Sequence, residues 1–243
     1  MGYIDGATLL WLELIVLVAA FVQGTVGFAF GMIAMGASAF LIDARTASLL
    51  MAPVAGANVA MVLWSVRREI NLRVVAPMVA GLIIGLPFGL ALLLGGGSTV
   101  IRVLISALLI YVGVTRLVPR RAPLRPVSSW WGSVAGLVAG VLGGATNISG
   151  PPLVAYAARQ PWPPGAFKAA LLSTFMVSTL VKTATLIWHG ALDRPLLVVA
   201  GALLPAAIGG SLVGVLLFRR LDAERFGQVI AVMVIVLGIG LLL

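Results

Sequence analysis

Cysteine is missing from the 243 residues, and histidine occurs once, at His189. Without a thiol, disulfides, thiolate catalysis and cysteine-bound metals are excluded. A lone histidine needs partners to hold a metal or to serve in a catalytic pair, and only Asp193 stands near it. No metal or other cofactor is therefore expected, and no nucleophile–base pair suggests an enzyme. Charge is also scarce. Asp, Glu, Lys and Arg make up 9% of the chain, where a soluble domain carries about 25%. No polar stretch is long enough for a separate soluble domain. Apart from Glu13, the seven acidic residues lie in loops or near span ends. No mid-span carboxylate pair offers a proton relay or a sodium site.

The rest of the chain is apolar: 61% of residues are hydrophobic, and mean hydropathy is +1.17. Long apolar runs in a bilayer must satisfy their own backbone, which makes this an all-α polytopic membrane protein. The net charge of +9 does not point to nucleic acid, because the basic residues sit in short loops, as the positive-inside rule expects. The partners expected are the lipid bilayer and a small solute; the oligomeric state, monomer or homodimer, stays open. Asp5 and Glu13 stand where a signal peptide would be basic, so the first run reads as a membrane segment.

Two of the apolar runs are interrupted. Leu9 to Gln23 ends at Gly24-Thr25-Val26-Gly27, and a second run follows from Phe28 to Ile42. Each run has about 15 residues, roughly 22 Å of helix, short of the roughly 20 residues that a full span needs. The other interruption is Gly143-Gly144-Ala145-Thr146-Asn147-Ile148-Ser149-Gly150-Pro151-Pro152. Its glycines and prolines predict a broken helix. Broken backbone at membrane depth is tolerated only where protein buries it or a watery cavity receives it.

The layout is twofold. Residues 1–121 read as a hairpin (8–42) and spans at 46–64, 74–94 and 99–118. Residues 122–243 read as a hairpin (130–158) and spans at 169–188, 195–218 and 226–243. Landmarks recur at offsets of 122 to 125 positions: Arg45 with Lys168, and Gly85-x-x-x-Gly89 with Gly210-x-x-x-Gly214. Placing the loops at 67–73, 116–125, 159–168 and 219–225 in the cytoplasm puts twelve of the sixteen Lys and Arg there. Both termini then fall outside the cytoplasm. Each hairpin returns to its own face and three spans follow it, so the halves are expected to be inverted repeats. Their two broken tips would meet near the midplane, where such transporters hold their solute.

Three sets of residues carry the resemblance to a known family. They are Gly24-Thr25-Val26-Gly27-Phe28-Ala29-Phe30-Gly31, then Gly140-Val141-Leu142-Gly143-Gly144 with Ser149-Gly150-Pro151-Pro152, and Phe167-Lys168-Ala169. Together with the length and the two-half plan, they resemble the TauE/SafE sulfite-exporter family (TSUP). That resemblance implies inner-membrane transport of sulfur-containing anions such as sulfite, thiosulfate, sulfoacetate and other organosulfonates.

An anion in low dielectric needs donors, and helix N-termini near Gly27–Phe28 and Pro151 could supply them. Gln23, Thr25, Gly27, Thr146, Asn147, Ser149 and Gly150 are the expected solute-binding residues at the breaks. Asn58 falls at matching depth in the first half, where it either lines the site or glues helices together. Lys182 lies within a span, where a cation costs about 2.5–3.5 kcal/mol on insertion scales and marks function by default. It either joins the site or snorkels outward past His189. Arg45 and Lys168 flank the hairpins as candidate entrance cations or as span-boundary charges. Arg102 reads as a snorkelling residue. The expected function is a secondary exporter of small sulfur anions working by alternating access. An anion channel on the same architecture is the alternative.

Overall fold

The computed structural model describes residues 4–117, 126–217 and 223–242. The basic loops around 118–125 and 218–222 lie outside the described residues. Ten α-helices follow one another, with no strand among the described residues. They are α1 (Gly6–Val26), α2 (Phe30–Ser38), α3 (Ala44–Ser65), α4 (Leu72–Gly95), α5 (Ser98–Leu117), α6 (Trp130–Thr146), α7 (Gly150–Ala157), α8 (Pro164–Trp188), α9 (Arg194–Leu217) and α10 (Ala223–Gly240). Six stretches are long and apolar enough to cross a bilayer: α1, α3, α4, residues 98–115 of α5, α8 and α9. This is a multi-pass, all-α membrane protein.

Short polar residues start the helices. Asp5 accepts the Thr8 N–H, Asp43 accepts the Thr46 N–H, and Asn71 accepts the Arg73 N–H. Each satisfies an amide that the helix itself cannot. Cations close other ends. Arg45 donates to the Leu94 carbonyl at the end of α4, and Arg102 donates to the Leu241 carbonyl just past α10, each at 2.6 Å. Arg102 therefore bonds the end of α10 instead of only reaching for water.

The two broken pairs differ from the sequence expectation. The first helix of each pair is longer and the second shorter: α1 has 21 residues against nine in α2, and α6 has 17 against eight in α7. Gly24, Gly143 and Gly144 stay helical because they are packing surfaces. Gly24 faces the α9 backbone at Ser211 and Gly214, and Gly144 faces α4 at Gly89. The stop comes later, where the chain turns left-handed at Gly27 (φ 92°) and Asn147 (φ 60°). Each of these residues returns its N–H four positions back, to Gln23 O at 2.7 Å and Gly143 O at 2.9 Å. The prolines do not break a helix either: Pro151 and Pro152 stand in the first turn of α7, where a missing N–H costs little.

The helices then pair crosswise. α4 packs along α6, α1 along α9, α5 against α10 and α3 against α8. Gly81, Gly85 and Gly89 of α4 meet the α6 backbone, and Gly210 and Gly214 of α9 meet the α1 backbone. Small residues let the main chains approach this closely, which replaces the hydrophobic driving force that lipid does not supply.

Candidate functional site

The two breaks meet around one cavity of about 40 Å³. At roughly 10–15 Å³ per enclosed water, this suits a few waters or one small oxyanion. Gln23, Phe28, Phe30, Gly31 and Met32 line it from the first half, together with Ala55 and Val59 of α3. Gly143, Asn147, Ser149, Gly150, Phe175, Ser178, Thr179 and Lys182 line it from the second half.

Lys182 is the charged group on this wall. It is 1% exposed, so it does not snorkel. Its ammonium donates to Ser48 Oγ at 3.0 Å and to the Gly143 carbonyl at 3.1 Å. Both acceptors are neutral, and no carboxylate among the described residues pairs with it. Ser48 fixes the neighbourhood. Its hydroxyl donates to the Ala145 carbonyl at 2.8 Å, and its own carbonyl accepts Asn147 Nδ2 at 2.8 Å. The α6–α7 break is thus tied to α3.

The amide supply is uneven between the two short helices. In α2, the Phe30 N–H is taken by Gln23 Oε1 at 2.9 Å, and the first ladder bond is Ile33 N–H to Ala29 O at 3.2 Å. The amides of Gly31 and Met32 lie between these and have no helical acceptor. Gln23, having spent its carbonyl on Phe30, keeps Nε2 as a donor on the cavity wall. In α7, the two prolines remove two first-turn amides, leaving those of Ser149 and Gly150. The second half compensates with side chains: Ser149, Ser178 and Lys182.

Of the residues expected from sequence, the cavity gathers Gln23, Asn147, Ser149, Gly150 and Lys182. Others serve the scaffold. Thr25 Oγ1 donates to Val22 O at 2.7 Å, and Thr146 Oγ1 donates to Leu142 O at 2.7 Å, so both hydroxyls back-bond within their helices. Gly27 is the left-handed cap of α1, and a side chain there would meet Lys168. Asn58 Nδ2 donates to Ser211 Oγ at 2.6 Å, joining α3 to α9. Lys168 is not at a cavity mouth: it is buried and donates to the Gly24 carbonyl at 2.6 Å, closing the end of α1. Arg45 closes α4 in the same manner.

Sequence reasoning missed Ser178 and Phe28. Ser178 stands one helical turn before Lys182 on α8, so the i, i+4 spacing carried that signal.

The family model described as "Sulfite exporter TauE/SafE" covers residues 12–241. The chain belongs to the TauE/SafE family. It is a transporter and not an enzyme. A Cupriavidus necator protein, "Probable sulfite/organosulfonate exporter TauE", is 30% identical over 212 residues, spanning 85% of this chain and 82% of that one. No solved structure matches the chain.

Proposed function

We propose that this protein exports a small sulfur-containing oxyanion, sulfite or a short organosulfonate, through the cavity between the two breaks. The observation that carries this reading is Lys182, a cation buried in a spanning helix, faced only by neutral acceptors and lining a cavity rich in donors. An intramembrane cation is costly, and a bound anion offsets that cost. Ser149, Ser178, Gln23 Nε2 and the amides of Gly31, Met32 and Gly150 supply donors around it. The volume favours a compact head group.

The mechanism we infer is alternating access, with the halves as inverted copies sharing the site. The crosswise packing supports it: exchanging the halves turns α4–α6 into α9–α1 and leaves the pairs α5–α10 and α3–α8 unchanged. The topology that goes with it puts both termini outside the cytoplasm of a cell inner membrane. An inside-negative potential then drives an anion outward with about 2.3 kcal/mol per charge per 100 mV, and no carboxylate relay is needed.

The test is ligand-induced thermal stabilisation across a panel of sulfur oxyanions. Wild type should be stabilised by one or more of them. Lys182→Met should keep its fold, with a melting temperature at or above wild type because a desolvated charge is gone, and should lose at least tenfold in affinity. Undiminished affinity in that variant would move the anion elsewhere. In proteoliposomes, saturable exchange of labelled anion favours the carrier, and unitary conductance steps favour a channel.

A further inference from the structure

The two short helices occupy corresponding places, yet they are seated differently. Seven of the nine residues of α2 are buried, against four of the eight in α7. α2 packs on both α5 and α10, whereas α7 has no comparable seat on either among the described residues. Met35 on α2 is fully buried, and its counterpart Ala155 on α7 is exposed. Where α7 stands away from α5, a cavity of about 450 Å³ opens, bounded by Leu108, Tyr111 and Thr115 of α5 and by Leu142, Pro152 and Ala155 of α6 and α7. Its counterpart beside α2 is nearly closed: Leu109 and Leu237 pack on Gly36, and a cavity of about 40 Å³ remains between Met32 of α2, Val112 of α5 and Ala231 of α10.

The wide cavity and the anion cavity share two wall residues, Phe28 and Met32. Phe28 sits just after the left-handed Gly27, ahead of α2, and is half-buried where the two hydrophobic core clusters meet.

We propose that the structure is open toward the α7 end: the wide cavity is the aqueous route to the anion cavity, and Phe28 with Met32 is the barrier between them. This rests on the anion-site reading for what travels along the route, but the route itself can be tested without any substrate. The chemistry needed is a water-filled passage. The Tyr111 and Thr115 side chains give it polar groups, and a side chain at its inner end separates it from Lys182. In the opposite state, α7 would take the seat on α5 and α10 that α2 holds now.

The absence of cysteine makes a direct test available. Single cysteines are placed at Ala155 in the route, at Ser178 behind Phe28, at Met35 in the nearly closed counterpart, and at Arg159 as a marker for the α7 face. A charged, membrane-impermeant thiol reagent is then applied to each face of oriented vesicles without substrate. The expected result is rapid labelling of A155C from the face that labels R159C, slow labelling of S178C from that same face, and none of M35C. Adding Phe28→Ala should speed S178C labelling at least tenfold and leave A155C unchanged, and Phe28→Leu should do so to a smaller extent.

A silent A155C, as for a groove filled by lipid, would overturn the route. An S178C rate indifferent to both Phe28 substitutions would overturn the barrier. A short alkanesulfonate should slow S178C labelling. If the labelling pattern holds but no sulfonate protects S178C and none stabilises the wild-type protein, the anion-site reading fails and the route stands. Sulfite is avoided as the probe because it consumes thiol reagents.

Discussion

At the scale of single residues, the site depends on neighbours that do different jobs a few atoms apart. Asn147 and Ser149 both line the cavity, but only Asn147 also holds the backbone, with φ 60° and a bond to Ser48 O. Ser149→Ala should therefore weaken anion binding several-fold with little change in melting temperature. Asn147→Ala should also destabilise, by about 1–2 kcal/mol for a non-glycine residue forced left-handed, and Asn147→Gly should recover much of that loss. A denaturation series on the three variants checks this. Gly143 is the reverse case. Alanine there favours the helix by about 1 kcal/mol, yet the added methyl falls on the Ser149 side chain, with its Cβ 3.1 Å away. Gly143→Ala should keep the fold and lose sulfonate-induced stabilisation.

At the scale of helices, glycine contacts hold the bundle and polar caps set its ends. A Cβ at Gly140 would come within 2.9 Å of the Leu86 nitrogen and 3.1 Å of the Gly85 carbonyl carbon. Neither backbone atom can rotate away, so Gly140→Val should separate α4 from α6 and lower stability by about 2 kcal/mol or more, as overpacking does. Asp43 illustrates the caps. Partial burial opposes its ionisation, but hydrogen bonds from the Ser98 side chain and from Thr46 outweigh this and hold its pKa below the usual carboxylate value. The stability this gives α3 is fully present above the ordinary carboxylate pKa and fades as pH falls through the lowered one. Asp43→Asn should flatten the pH dependence of melting on the acid side below pH 4, and Asp43→Ala should cost about 1 kcal/mol.

At the scale of the whole molecule, the sequence was informative about number and kind. Scarce charge, long apolar runs and basic loops were enough for an all-α multi-pass membrane protein, because a bilayer leaves helices little choice. The two breaks were legible as well, and so was the mid-span lysine, because each is a rule violated in lipid. The exact stop of α1 and α6 was not. Gly24, Gly143 and Gly144 look like helix breakers in a linear reading, but another helix's backbone lies against Gly24 and Gly144, and the Ser149 and Ser178 side chains lie against Gly143, which makes all three packing surfaces. The partners of the cations were hidden for the same reason. Lys168 and Gly24 are 144 positions apart, and Lys182 and Ser48 are 134 apart. If both termini lie outside the cytoplasm as proposed, reporter fusions at either end should be active only in the extracytoplasmic compartment.

The sequence alone determined the solvent this chain lives in and the places where its helices must be interrupted, since local composition decides both. Only the tertiary structure decided which of the polar groups at those interruptions face one another. Thr25, Thr146 and Asn58 turn to helix carbonyls or to a neighbouring hydroxyl, while Ser149, Ser178 and Lys182 turn to a common cavity. A buried donor takes whichever acceptor packing brings within reach, and packing joins segments that the linear chain keeps far apart.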